Sequence, residues 1–537
     1  MKKIDMKYKL LAALLFCSLA AMSFAACTVK TENTTAGQTV NASTTTVTTK
    51  SSVELSNVFS DKNTDASYDE STAQVINLNG DSASSDSSSV SINGSVITIK
   101  GKGTYVVTGT LDDGYIVVDA GDSDDIKIVL KDAKITSSDY AALYCLNADN
   151  VYVILADGTE NLLKNSSKFD SKDKNSVDGA VFAKTDITIN GSGSLEISST
   201  DHGIVGKDDV TITGGNIKIT ATGDGIQAND SVAIQNAVIS ITCGKDGIQA
   251  DNEKDTAKGY VYIQSGDITI AADDDGITAS SALQIDGGNI NITKSYEGLE
   301  GSTVVINGGA ILMIASDDGI NASSASSTDS MQDDGVSNIL INGGEIYIRS
   351  EGDGVDSNGT LLMTGGTLVV MGPTMGGNGS LDVNGSATIT GGTVVMAGTS
   401  DMATNFTDAS QGTILLTTGS QAQGTEIKVT DSSGNVIVEA TADCAYQCIV
   451  VSSPMLTTGN SYTVTAGTYS ETITLSSNVY GAGSGFGAPG GFAGGPGGFD
   501  NGNGSFAGSA NGFNGGDGSF GGPAGGPGNG QNGGPGF

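Results

Sequence analysis

Between residues 185 and 400 the chain repeats a unit of about 22 residues, and no other feature limits its fold so tightly. A two-residue slot opens each unit, as Gly214-Gly215, Gly287-Gly288, Gly308-Gly309, Gly343-Gly344, Gly365-Gly366 and Gly391-Gly392, with the variants Asn236-Ala237 and Ser265-Gly266. Nine residues after its second position stands an acid: Gly215 leads to Asp224, Ala237 to Asp246, Gly266 to Asp275, Gly288 to Glu297, Gly309 to Asp318 and Gly344 to Asp353. The same step takes Gly193 to His202 and Gly392 to Asp401, whereas Gly366 lands on Met375.

Inside the unit the apolar period is two. Ile217 and Ile219, Ile239 and Ile241, Ile268 and Ile270, Ile290 and Ile292, and Ile346 and Ile348 mark half-buried strands. A second short strand follows each acid, as in Gly225-Ile226-Gln227-Ala228, and a third precedes the next slot, as in Val261 and Ile263. Three short strands per repeat make one rung of a solenoid, which buries its isoleucines only by stacking on its neighbours at about 4.8 Å. The fold expected is all-β: a right-handed parallel β-helix over 76–404, followed by a small β cap or Ig-like module over 405–479. Val96 to Ile99, Tyr105 to Val107, Ile126 to Val129 and Val151 to Ile154 read as entry rungs.

The two ends differ in kind. Lys2, Lys3, Lys7 and Lys9 precede the apolar run Leu10 to Ala26, which reads as a secretory signal ending in Ala25-Ala26-Cys27. Small residues before a cysteine are similar to a bacterial lipobox with lipid on Cys27; ordinary cleavage and free secretion is the alternative. Residues 1–27 are read as this signal, 28–75 as a Ser/Thr-rich solvated spacer, and 480–537 as a disordered Gly/Phe-rich tail. In that tail Phe492, Phe499, Phe506, Phe513 and Phe520 recur every seven residues. A protein at the cell surface or outside the cell is expected, touching membrane only through its lipid.

Charge narrows the partners. The 537 residues carry 25 basic and 60 acidic side chains, for a net −35. Arg349 is the only arginine. Nucleic-acid binding is excluded on this balance, since phosphate contacts need Lys and Arg. A monomer is expected.

The repeat gathers acids on one corner of successive rungs. Asp251, Asp255, Asp273, Asp274, Glu300, Asp317 and Asp356 crowd the slot acids. Asp-Gly suits a tight corner, which accounts for one acid per rung. It does not account for Asp273-Asp274-Asp275, Asp317-Asp318 or the Glu297/Glu300 pair. Carboxylates about 5 Å apart repel, and a hard cation with six to eight oxygen ligands relieves this. Calcium is therefore the expected cofactor, with candidate ligands Asp224, Asp246, Asp251, Asp273, Asp274, Asp275, Glu297, Glu300, Asp317, Asp318 and Asp353. Acid-to-acid steps of 22, 29, 22, 21 and 35 residues place insertions at about 251–259 and 323–338. Both follow the acid and its short strand, predicting walls beside an acidic groove.

Taken with Gly103-Thr104-Tyr105, Gly109-Thr110-Leu111, Gly158-Thr159-Glu160-Asn161, Ile189-Asn190-Gly191-Ser192-Gly193 and the Asp-Gly-Ile rungs, residues 76–478 resemble a known family. It is the bacterial surface carbohydrate-binding β-helix family of cellulolytic clostridia, whose members bind cellulose and pectin-like acidic sugars. The resemblance implies a secreted or lipid-anchored protein that carries calcium among its Asp-Gly-Ile rungs. It also implies likeness to calcium-dependent polysaccharide lyases without lyase activity.

A non-catalytic binder of pectin, polygalacturonate or cellulose is accordingly expected. Calcium would bridge protein and sugar carboxylates. With no Trp, Tyr260, Tyr262 and Tyr296 are the aromatic candidates for sugar contact, together with Lys294; Tyr347 is a further tyrosine to weigh, and core or edge positions are the competing account of all four tyrosines. Two alternatives stay open. A lyase needs a base to take the proton α to a uronate carboxylate, for which Lys294 is the candidate among Lys245, Lys254, Lys258 and Lys294. A structural adhesin would need no glycan. Cys145 and Cys243 read as buried thiols, and Cys444 and Cys448 as permitting a local disulfide.

Overall fold

The computed structural model describes residues 58–252, 254–324 and 332–481. The signal segment with Cys27, the spacer up to residue 57 and the tail from 482 lie outside them. Within them the chain is a right-handed parallel β-helix of about 11 turns.

Each turn contributes strands to three columns. The first holds the strands after the slot, such as Asn216–Thr220, Ala237–Cys243 and Gly266–Ala272. The second holds the short strands after the acids, such as Ile226–Ala228, Ile248–Ala250 and Ile320–Ala322. The third holds those before the next slot, such as Ser231–Ile234 and Tyr260–Ile263. Register is unbroken over long runs: Ile217 pairs with Ile239, Ile239 with Ile268, and Ile268 with Ile290. These inward isoleucines are at most 1% exposed and fill a single core along the axis.

Glycine serves two purposes. The second slot residue turns the corner in the left-handed region, with φ of 92° at Gly215 and 96° at both Gly288 and Gly309. Asn236-Ala237 meets the same need differently, with φ of 54° on Asn236. The glycine after each acid is required by close approach. A Cβ at Gly225 would lie 2.6 Å from the carbonyl oxygen of Gly247, and one at Gly247 would lie 2.5 Å from that of Gly276.

Both ends of the solenoid are closed by antiparallel pairing. At the start Val90–Asn93 pairs with Val96–Ile99, and Asn77 and Leu78 pair with Ser84 and Ala83. At the far end Tyr446–Ser453 runs antiparallel to Thr393–Gly398 and to Gly412–Gln421, which stops the parallel stacking. A separate four-stranded antiparallel sheet spans Glu426–Asp431, Val436–Thr441, Ser461–Ala466 and Tyr469–Thr474. Its core is shared with Val369, Met371, Val395 and Ala397, the outward residues of the last first-column strands. Cys444 and Cys448 are free buried thiols there rather than a disulfide, as are Cys145 and Cys243 in the solenoid.

The spacer reading fails from residue 58 onward. A short helix, Asp61–Thr64, and the chain to residue 73 lie along the solenoid wall. Lys62 pairs with Asp125 at 2.7 Å, Lys127 with Asp65 at 2.9 Å, and Lys131 with Glu70 at 2.6 Å. Ala66, Tyr68 and Ala73 cover Val106, Val129 and Ile154, which face outward. The cause is visible in Tyr105-Val106-Val107: a strand apolar on both faces needs cover on both.

Replacing Gly247 with Ala should push a Cβ into the Gly276 carbonyl and Ile270, and cost about 1–3 kcal/mol of stability. Thermal or denaturant unfolding of the variant measures this; an unchanged midpoint would show that the rungs do not approach so closely.

Candidate functional site

The acids of the repeat stack in one row where the first column turns into the second. Backbone amides run along it: Gly225 N–H donates to Asp246 O, Gly247 to Asp275 O, Gly276 to Glu297 O, Gly298 to Asp318 O and Gly319 to Asp353 O, at 2.8–2.9 Å. The side chains repeat the pattern. Oδ1 of Asp224 accepts the Asp246 N–H, Oδ1 of Asp246 that of Asp275, and Oδ1 of Asp275 that of Glu297, at 3.0–3.1 Å. Asp318 does the same for Asp353 at 2.6 Å. In Glu297, one methylene longer, both carboxylate oxygens instead accept from Asn321 Nδ2 at 3.1 Å.

A second row lies beside it, three residues further along each rung. Gln227, Gln249, Thr278, Glu300, Asn321, Asp356 and Asp382 pair successively in register. Gln227, Gln249, Asn321 and Asp356 occupy the outward middle of three-residue strands whose flanking residues point into the core. Gln249 Nε2 donates to Asp246 Oδ2 at 2.7 Å, linking the rows.

Along these rows carboxylates converge. Three groups have oxygens within 4.8 Å of one another: Asp246, Asp274 and Asp275; Asp275, Glu297 and Glu300; and Asp318, Asp353 and Asp356. Burial raises Glu297 to about 8, aided by the charges of Glu300 and Asp275. Burial likewise raises Asp356 to about 8, Asp246 and Asp353 to about 7 and Asp318 to about 6, with neighbouring carboxylates adding to each. Asp275 and Glu300 also move up, first from burial and then from nearby carboxylates. Between the second and third groups, Asn321 Oδ1 is buried without a hydrogen-bond partner. An unsatisfied oxygen amid crowded carboxylates is a donor set for a hard cation.

The other candidates stand elsewhere. Asp224 meets His202, whose Nδ1 lies 2.9 Å from both the backbone N and Oδ2 of Asp224 at the head of the row. Asp251 is exposed beyond the second column. Asp273 is paired with Lys294, so that ammonium is engaged away from the carboxylate groups. Asp317 hydrogen-bonds to the hydroxyl of Tyr296. Tyr296 is 47% exposed and adjoins Glu297, the aromatic candidate that reaches the row. Tyr262 is 3% exposed in the third column, its hydroxyl on Asp286 at 2.6 Å and its ring 5.8 Å from Phe59. Tyr260 sits two residues earlier in the same strand, half-buried. Both belong to another face because the third column is a separate wall of the solenoid. Tyr347 bonds Asp443 beneath the C-terminal sheet. Asp356, noted as crowding the row but not chosen as a ligand, completes the third group. The signal was its position three residues after Asp353, the spacing of Glu300 from Glu297. Asp382 went unnoticed because the stretch 372–381 lengthens its rung and breaks the nine-residue step.

Comparison with known proteins now bears on this surface. A family model described as a carbohydrate-binding domain-containing protein matches residues 93–376, more than half the chain and all of the acid row from His202 to Asp356. The chain belongs to that carbohydrate-binding domain family. A carbohydrate-binding domain-containing protein of Acetivibrio thermocellus is 35% identical over 124 residues, which are 22% of this chain and 43% of that protein. The match thus spans less than half of that relative's length. The solved structure titled as the polysaccharide lyase-like protein from C. thermocellum, a gadolinium derivative, is 31% identical. It covers 44% of this chain and 93% of that one, at a TM-score of 0.40.

The raised acids give this carbohydrate-binding domain a signed pH dependence. A carboxyl whose folded pKa lies above its unfolded value near 4 holds more protons folded than unfolded. Stability without metal should therefore fall as pH rises from about 4 to about 8, the window set by Glu297 and Asp356. Melting in chelator at pH 5 and pH 8 measures this. Asp356→Asn should flatten the slope; an unaltered slope would remove Asp356 from the crowded set.

Proposed function

We propose that this carbohydrate-binding domain is a non-catalytic, calcium-assisted binder of acidic plant-type polysaccharide, polygalacturonate above all, with cellulose as a second glycan. The observation that carries the reading is the convergence of Asp275, Glu297 and Glu300, and of Asp318, Asp353 and Asp356, with Asn321, whose oxygen is buried without a partner, in register between Glu300 and Asp356. These residues would hold calcium. Bound there, calcium supplies the positive charge that lets an acidic row accept a sugar carboxylate.

The protein's own residues set the rest. The amide hydrogen bonds accepted by Oδ1 fix the direction of each aspartate, and in Asp246 and Asp275 the other oxygen meets the second row at Gln249 and Thr278. Preset ligands lose little freedom on binding. Tyr296 offers an exposed ring at the same rung for contact with a sugar face. The candidate base Lys294 is engaged, which speaks against its use in a lyase, while Lys245 is exposed and makes no ion pair among the described residues. Lys294 is tied to Asp273 and Lys258 to Asp230, and the Arg349 guanidinium is spent on Glu351 and the carbonyls of Ser350 and Met371. Secretion, or display through lipid on Cys27, rests on the N-terminal sequence and places the domain where such polymers occur.

Retention of the purified protein on polygalacturonate, with calcium and with chelator, tests the reading, with ultraviolet absorbance followed for unsaturated product. Calcium-dependent retention without new absorbance is expected. Asp353→Asn combined with Asp356→Asn should lower calcium affinity at least about tenfold, as removal of two charged ligands from an oxygen site implies, and weaken retention in step. Rising absorbance would make the protein a lyase. Attachment that ignores both glycan and calcium would favour an adhesin.

A further inference from the structure

A third line of residues borders the acid row on its first-column side. Each stands immediately before a row member, and backbone hydrogen bonds connect them: Gly223 N–H to Asp201 O, Lys245 N–H to Gly223 O, Asp274 N–H to Lys245 O, Tyr296 N–H to Asp274 O, Asp317 N–H to Tyr296 O and Gly352 N–H to Asp317 O. Lys245 is the sole cation in this line. It is exposed, and among the described residues it makes no ion pair, although the row beside it is acidic from Asp224 to Asp353. Its neighbours explain this. On one side Gly223 has no side chain, and a Cβ there would meet Asp201 and His202 at 2.8 Å. On the other, Asp274 turns its carboxylate to Asp246 and Asp275. The lysines around it are engaged: Lys294 with Asp273, Lys258 with Asp230, and Lys218 with Glu196 at 3.6 Å.

We propose that Lys245 is the specificity-determining residue of the site, holding a carboxylate of the polysaccharide and so selecting a charged sugar over its uncharged counterpart. A free ammonium one rung from a carboxylate group suits an anion that spans from the row to the bordering line. Tyr296 lies two rungs further, about 10 Å away at the pitch of a β-ladder, so a chain laid along the line meets Lys245 and the Tyr296 ring at different sugars. This assignment rests on the polysaccharide reading above and adds a source of selectivity that calcium binding does not need.

The test compares the unmodified full chain with Lys245→Gln and Lys245→Arg. Ligands are polygalacturonate and the same polymer fully methyl-esterified, each with calcium present, and calcium binding is measured separately by titration. Lys245→Gln should bind polygalacturonate about tenfold more weakly, the loss of one ion pair worth ~1.4 kcal/mol at a site of this kind. It should bind the ester and calcium unchanged, and Lys245→Arg should restore the acidic ligand. Equal affinity of Lys245→Gln and the unmodified protein for polygalacturonate would overturn the assignment while leaving the binding function intact. Failure of the unmodified protein to bind polygalacturonate would overturn both. A Lys245→Gln protein that loses calcium or melts early would show a structural role instead, and would also overturn it.

Discussion

The hydrogen bond that the backbone amide of one rung donates to an aspartate oxygen of the rung before governs both the corner and the surface of this protein. It is local, repeated and directional. One oxygen of Asp224, Asp246, Asp275 and Asp318 is consumed in holding the following rung in place. Fixing that oxygen fixes the carboxylate, and in Asp246 and Asp275 the other oxygen accepts from the second-row residues Gln249 and Thr278. A structural use of the acid and a ligand use of it are therefore compatible, because they draw on different atoms of one side chain. His202 shows the rule from the other direction. At the head of the row the slot needs an acceptor for the Asp224 amide, and an imidazole nitrogen supplies it without negative charge.

Stacking so many acids costs stability, and the fold tolerates it because the core is bound separately. Inward Ile and Val are fully buried over the whole length, whatever the outward position carries. Along the second column that outward line reads Val117, Tyr144, Phe182, Val205, Gln227, Gln249, Thr278, Glu300, Asn321, Asp356 and Asp382. It passes from apolar, through neutral polar, to acidic without a change in register. The apolar end is covered by 166–178, where Phe169 and Val177 pack against Tyr144 and Phe182 and Lys172 lies 4.8 Å from the Tyr115 ring centre. A solenoid can thus write a surface on a scaffold that does not depend on it.

That independence decides what could be read in the sequence. The strands, the three-column rung and the row of acids follow from period-two alternation and a fixed nine-residue step, both consequences of stacking, and were legible. The chain from 58 to 73 was not, because its Ser, Asp and Asn composition is that of a spacer. Its evidence lay in the partner: Tyr105-Val106-Val107 and Val151 to Leu155 lack alternation, as strands covered on both faces must. Tyr260 and Tyr262 misled for a related reason. Alternation shows that one residue points in and the next out, but not which of three walls the outward one belongs to.

The distinction between a crowded row and a site rests on rung-to-rung differences rather than on the repeat. Asp224 and Asp246 face neutral Gln227 and Gln249 across the rows; there Asp224 Oδ1 accepts the Asp246 amide and Asp246 Oδ2 accepts from Gln249 Nε2. From Asp275 onward the second row turns acidic at Glu300, Asp356 and Asp382, and burial leaves these carboxyls with raised pKa and few neutral partners. Asn321 interrupts them with an amide whose N–H group serves Glu297 and whose oxygen serves nothing. Tightness of the corner alone does not account for an orphaned oxygen in register between two crowded carboxylate groups. The demands of an Asp-Gly corner explain the first half of the row, and the crowding of the second half is where the proposed cation would relieve repulsion.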